Sequence, residues 1–194
     1  MQNSTKKAVS QLIIVKSIAG HYASLCAYER ARDSWIRKLG PFDAVIGKNG
    51  ITDDKAEGDG KTPTGIYPLN TLFGNREHRT DRMPFITLHE HLEAVDDPAS
   101  KHYNRIVDRR IFEIDWSSSE KMKEYGFLYE IGAVIGYNTE DPTPGKGSCI
   151  FMHVWRSPVK GTAGCIALSH YDMKAIANWL SFECFPHILV KGTV

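Results

Sequence analysis

The sequence predicts a mainly β fold, a β-rich α+β domain with a few short helices, on three observations. Short runs of β-branched, aromatic and other apolar residues recur along most of the chain. Clusters of Gly, Pro, Asn and Asp punctuate them at strand-like intervals. Clear helical periodicity is confined to a segment near the C-terminus. The length, 194 residues, fits one domain over residues 1–194 that buries a core without disulfides or a metal.

In chain order, Gln11 to Lys16 reads as a buried strand and Ala23 to Arg30 as a second. Phe42 to Gly47 is a third, ending at a turn over Lys48, Asn49 and Gly50. Thr52 to Pro68 is rich in Asp, Gly and Pro, which predicts a long loop entering a short strand near Gly65 to Pro68. Phe85 to Leu88 and Arg105 to Val107 are further short strands. Ser117 to Tyr125 reads as a helix, with Ser117 as cap and Glu120 three residues on. Leu128 to Tyr137 and Cys149 to Trp155 are dense in strand formers. Ser169 and Asp172 predict a capped helix whose apolar face is Met173, Ile176, Ala177 and Leu180. Ile188 to Val190 is the last strand.

Composition excludes several function classes. A formal net charge of +1, with basic residues scattered, gives no field for nucleic acid or an anionic membrane. No apolar run reaches the length of a membrane span. Met1 to Lys7 is polar and basic with no apolar signal core behind it. That fits a cytoplasmic protein, or an envelope or periplasmic one whose signal has been removed. The four cysteines, Cys26, Cys149, Cys165 and Cys184, form no Cys-x-x-Cys pair, against a zinc ribbon or thioredoxin-type site. Gly60-Lys61-Thr62 is followed by Pro63 where a P-loop needs a helix, so nucleotide binding is rejected. Asp53, Asp54, Glu57 and Asp59 lack the spacing of a calcium loop. His153, Cys165 and His170 lack zinc spacing, so no metal or other cofactor is expected.

The chemistry concentrates between Phe151 and Ser169. His153 lies in a predicted strand, and Cys165 follows Gly164 in a small-residue turn just before the capped helix. The twelve positions between them allow a loop to bring the chain back beside His153. An ordinary thiol, with a pKa of about 8.5, is mostly protonated at neutral pH and needs a base to become a nucleophile. Gly164 permits a tight turn, whose amides are candidate oxyanion donors, each worth roughly 3 kcal/mol. The competing reading is a core cysteine and an unrelated histidine. Cys149 is read as core, because along a strand it would stand roughly 13 Å from His153.

Thr162-Ala163-Gly164-Cys165 resembles the Ser/Thr-His-Gly-Cys signature of the L,D-transpeptidase catalytic domain, the YkuD-like family. Gly58-Asp59-Gly60-Lys61-Thr62-Pro63-Thr64-Gly65 resembles the family's "GDGKTPxG" segment. Asp96-Asp97-Pro98 with Tyr103-Asn104, and Ile135-Gly136-Tyr137-Asn138 leading to Gly147-Ser148, resemble further segments, so the likeness runs in order over roughly residues 40 to 190. The resemblance implies a β-sandwich or barrel-type catalytic domain. It implies Cys165 as nucleophile, His153 as general base and then acid, and a backbone carbonyl orienting the histidine. The reaction implied is attack after the L-centre of meso-diaminopimelate in a peptidoglycan tetrapeptide stem, with release of D-alanine. The acyl group then passes to an amine in a transpeptidase, or to water in an L,D-carboxypeptidase. Peptidoglycan is the implied partner in the envelope, and recycled muropeptides are the partner if the chain is cytoplasmic.

Two positions depart from the family pattern. Ala163 stands where many members carry His, and Ala167 where many carry Arg or Asn. These favour the rival reading, a non-catalytic peptidoglycan-binding domain. Arg156 is the candidate replacement charge, although its odd offset from His153 points it away unless the strand has ended. Asn138 and Tyr103 are the remaining candidate substrate contacts, each competing with a structural role.

Overall fold

A computed structural model describes residues 8–192 of the chain. The polar segment Met1 to Lys7 lies outside the described residues. Strands account for 42% of the described residues and helix for 13%, so the fold is mainly β as the residue pattern predicts.

Strands β1 (Gln11–Ala19), β2 (Tyr22–Ala31) and β3 (Ser34–Val45) form an antiparallel meander. The two-residue strands β4 (Ile51–Thr52) and β5 (Thr62–Pro63) pair parallel across the Asp- and Gly-rich loop. Next come β6 (Gly65–Gly74), a 3-10 turn at Arg76–His78, and β7 (Phe85–Thr87). Strands β8 (Leu92–Val95), β9 (Ile106–Asp108) and β10 (Ser119–Lys121) make a small separate sheet in the order β10-β8-β9. A kinked 3-10 segment, Met122–Tyr129, leads to β11 (Ile131–Ile135), β12 (Phe151–Val154) and β13 (Ile166–Leu168). Helix α1 (His170–Trp179), a 3-10 turn at Phe182–Cys184 and β14 (His187–Lys191) complete the chain.

The main sheet closes on itself. Its order is β11-β12-β13-β3-β2-β1-β14-β6, and β6 also pairs with β11. Strand β6 is long enough for both jobs. Gly65 to Pro68 pair with β14, and Leu69 to Gly74 pair with β11. Closure leaves no strand as a free end of the ring, although the Ser34 to Asp43 part of β3 pairs with β2 alone. Strand β7 adds to β6 outside it.

The alternation of side chains then sorts residues into two clusters. Met152 and Val154 of β12, and Ile166 and Leu168 of β13, face the barrel interior with Ile13, Leu25 and Ile188. Helix α1 adds Met173, Ile176 and Ala177 to the same cluster, as its periodicity predicts. Each of the larger ones is worth about 1.5–3 kcal/mol when fully buried. The opposite face carries Phe151 of β12 and Cys165, the residue just before β13. Leu92 from the small sheet and Met122 and Tyr129 from the 3-10 segment cover them, beside Phe73 of β6. The candidate site lies in this second layer, outside the barrel wall.

The helix expected over Ser117 to Tyr125 forms only from Met122 on, as 3-10 turns. Ser117 gives both its amide and its hydroxyl to the Asp97 carboxylate, each at 2.7 Å, instead of capping a helix. Ser119 to Lys121 pair with β8, and Gly126 at φ 54° interrupts the turns that follow. Some strand limits also differ. Strand β3 starts at Ser34 rather than Phe42, and β6 runs on to Gly74. Cys149 sits at φ 52°, held by Asn104 Oδ1, so β12 begins only at Phe151. Among the described residues, no helix is long and apolar enough to cross a membrane.

Candidate active site

Parallel pairing of β12 with β13 aligns Met152 with Ile166 and His153 with Ala167. Cys165 therefore stands beside Phe151, one residue before β13, and the Phe151 amide donates to its Sγ at 3.3 Å. His153 is two residues along the neighbouring strand on the same face. Strand spacing and rise put the two Cα atoms roughly 8 Å apart, within side-chain reach. Both side chains line one cavity of about 390 Å3, with Glu120, Tyr125, Tyr129 and Trp155 around them.

His153 is buried, and its Nδ1 lies 2.8 Å from the Val154 carbonyl. A carbonyl only accepts, so Nδ1 carries the proton and the neutral ring keeps its free lone pair on Nε2. Burial pushes the imidazole down to about 4. The Tyr129 ring packs edge-on to it, with centroids 5.2 Å apart. Burial likewise pushes the Cys165 thiol up to about 12, assisted by the nearby Glu120 carboxyl and opposed by the Phe151 amide and Lys55. The thiol donates to the Cys149 carbonyl at 3.3 Å. The resting pair is thus a neutral thiol and a neutral imidazole.

The turn that presents Cys165 is clamped by two threonines. Thr62 Oγ1 donates to the Gly164 carbonyl at 2.7 Å and accepts from the Gly47 amide at 2.8 Å. Thr162 Oγ1 donates to the Cys165 carbonyl at 2.6 Å and accepts from the Gly164 amide at 3.1 Å. Gly164 has φ 156°, and a Cβ there would meet the Lys61 carbonyl at 3.0 Å. Only glycine suits both constraints. The loop from Gly58 to Gly65 therefore acts as a buttress, bringing buried Thr62 under the Cys165 turn.

A profile of the L,D-transpeptidase catalytic domain matches residues 13–193. The chain belongs to that family. No curated protein sequence matches it. Two crystal structures of the helical cell shape determining protein Pgp2 from Campylobacter jejuni are similar to it. One, a single-substitution variant, has a TM-score of 0.50 at 14% identity, covering 95% of this chain and 48% of that one. The other has a TM-score of 0.49 at 15% identity, covering 97% and 52%. This L,D-transpeptidase-family chain thus spans about half the length of the Pgp2 chains, and the likeness concerns the fold.

Of the residues singled out in the sequence, His153, Cys165 and Arg156 meet at the cavity, and Gly164 lies in the turn beneath it. Strand β12 ends at Val154, which frees exposed Arg156 to reach the cavity rim, where Lys160 joins it. Ala167 stands directly across from His153 and leaves that wall without a charged group. Tyr103 and Asn138 do not line this cavity. Tyr103 is buried and donates its hydroxyl to Glu57. Asn138 at φ 54° ties its own loop, bonding the Thr143 and Gly147 carbonyls at 3.1 and 2.9 Å.

Sequence reasoning missed Glu120, which it treated only as a helix-cap partner. Its carboxylate accepts from the Tyr129 hydroxyl at 2.6 Å. It lines the His153 cavity and also an adjoining one of about 190 Å3 that contains Lys55, Asp96 and the other side of Cys165. Burial raises it to about 7, partly offset by the Tyr129 hydroxyl. Its only sequence signal was an acid following a run of three serines, which is common on protein surfaces. A larger cavity of about 600 Å3, lined by Arg105, Phe112 and Cys149 among others, includes neither His153 nor Cys165.

Proposed function

We propose that the protein is an L,D-transpeptidase-type acyl transferase acting on peptidoglycan stem peptides. The observation that carries this reading is the joint exposure of Cys165 and His153 to one cavity, with the histidine proton fixed on Nδ1 by Val154. The thiol proton passes to His153 Nε2 as sulfur attacks the carbonyl carbon after the L-centre of the diamino acid. The tetrahedral adduct collapses by breaking the C–N bond, and His153 returns the proton to the departing amine of D-alanine. A thioester on Cys165 remains. An amine acceptor then attacks it, gives its proton to His153, and regenerates the thiol.

Neutral resting partners fit concerted general-base attack better than a standing thiolate–imidazolium pair. The Gly164 amide is engaged by Thr162. Gly164 therefore shapes the turn, and the oxyanion takes its hydrogen bonds from other donors near Cys165. Arg156 and Lys160 at the rim offer positive charge for a stem-peptide carboxylate, replacing the group that Ala167 lacks. A peptidoglycan substrate assigns the activity to the cell envelope.

The test is mass spectrometry of wild-type and Cys165→Ser protein incubated with a disaccharide-tetrapeptide. The expected result is D-alanine release with a thioester adduct on Cys165, and neither in the variant. Cross-linked dimers would mark a transpeptidase, and a trimmed tripeptide a carboxypeptidase. No adduct and no turnover in folded wild-type protein would leave the peptidoglycan-binding reading.

A further inference from the structure

The fold assembles a second cluster of ligating side chains that the acyl-transfer site does not use. His78 ends the 3-10 turn after β6, Glu130 precedes β11, and His170 is the first residue of α1. No sequence spacing links positions 78, 130 and 170, so only folding brings them together. One ligand atom from each lies within 4.8 Å of the other two. His78 Nε2 is 2.9 Å and His170 Nε2 3.5 Å from the same Glu130 oxygen.

We propose that His78, Glu130 and His170 form a binding site for one borderline divalent transition cation of the zinc class. A tetrahedral centre with bonds of roughly 2.0–2.1 Å sets its ligand atoms about 3.3 Å apart. The observed separations bracket that spacing, and small side-chain rotations complete it. The donor set, two imidazole nitrogens and one carboxylate, suits zinc and its neighbours and not magnesium or calcium, which favour all-oxygen shells. His170 Nε2 is a second, independent sign. It is buried without a hydrogen-bond partner, whereas buried polar atoms are ordinarily satisfied. A cation would satisfy it.

The plainer account is a His78–Glu130 ion pair with His170 as a bystander. The helix dipole is a further objection, because the N-terminus of α1 favours anions. Glu130 answers that objection by bringing a negative charge to the same point. The cation would also have a mechanical effect. It would join the β6–β7 connection, the start of α1 and the end of the Met122–Tyr129 segment, whose Tyr125 and Tyr129 wall the Cys165 cavity.

The experiment uses the full chain carrying Cys165→Ser, so that the thiol cannot compete, after chelator treatment. Zinc chloride is titrated calorimetrically, and cobalt(II) is added as a spectroscopic probe. The expected result is one equivalent bound, a higher melting temperature with zinc, and visible cobalt bands of tetrahedral intensity. His78→Ala, Glu130→Gln and His170→Ala should each weaken binding at least tenfold, within the roughly 10- to 100-fold range that loss of even an outer-shell partner costs. His91→Ala should leave it unchanged. Glu130→Gln keeps the shape of the cluster, so a loss there reports ligation rather than misfolding. No saturable binding by the parent protein, octahedral cobalt bands, or equal affinity in all three variants would overturn the proposal. None of these readouts depends on acyl transfer.

Discussion

At the scale of single residues, three titrating groups set the behaviour of the site. His153 is held down to about 4 by burial, so it stays a neutral base down to that pH. Glu120 is raised to about 7 by burial, so it acquires its charge near neutrality. An anion there opposes both the Cys165 thiolate and the tetrahedral oxyanion. We expect kcat/KM to rise through about pH 4, fall through about pH 7, and lose the alkaline limb in Glu120→Gln. The same variant tests the stability linkage. A carboxyl whose folded pKa is raised binds more protons in the folded state, so its contribution falls as pH rises from the unfolded value to about 7. His153 works oppositely, losing stability as pH falls from about 6.5 towards 4. Thermal melts of Glu120→Gln should therefore exceed wild type at pH 8, by on the order of 1–3 kcal/mol, and converge near pH 4. An unchanged alkaline limb would remove Glu120 from the account. Cys165, pushed up to about 12, should also react with iodoacetamide at a rate that climbs steadily from pH 7 to 10. A plateau below pH 7 would instead reveal a preformed ion pair.

At the scale of elements, the meeting of Cys165 and His153 at one cavity was legible because its signals are local. The Gly164-Cys165 turn, the strand-forming run around His153 and the Ser169 cap each lie within a few residues. Ser169 does cap α1, accepting from the Asp172 amide at 3.1 Å. Ser117 carries a similar pattern and fails, because Asp97, twenty residues earlier in the chain, takes its hydrogen bonds. Capping residues announce a helix only when no distant acceptor competes for them. Glu120 was illegible for a related reason. Its burial comes from Tyr129 and the covering segment, which no local pattern encodes. The Gly58 to Gly65 loop shows the converse, a recognisable motif whose purpose appears only in three dimensions. Thr62→Val keeps the side-chain shape and removes both clamp bonds. Each orphaned buried partner costs about 1–3 kcal/mol. A nucleophile misplaced by about 1 Å loses roughly 100-fold in rate. We expect Thr62→Val to lower the melting temperature and to reduce kcat more than it changes KM. Equal kinetics in a destabilised protein would limit Thr62 to holding the fold.

At the scale of the whole molecule, the site depends on the ring being closed. Strand β11 is the closing piece, with β6 on one side and β12 on the other. Gly132 sits at that seam, opposite Phe73 across one pairing and opposite His153 across the other. A Cβ at this position would fall 2.3 Å from Phe73 Cζ and 2.9 Å from the Met152 carbonyl. The aromatic ring can turn, but the carbonyl belongs to the strand that carries His153 and can move only with it. Overpacking of this kind typically costs about 1–3 kcal/mol. For a chain of this size each kcal/mol lowers the melting temperature by about 2–4 °C. Gly132→Ala should therefore melt several degrees lower and lose activity beyond the unfolded fraction, because the strain reaches the base directly. Activity at 15 °C, where the variant remains folded by circular dichroism, separates the two effects. Full activity there would show that β12 is held by β13 and the covering layer, so that the seam serves stability alone. Reduced activity there would show that closing the barrel is part of how His153 is placed beside Cys165.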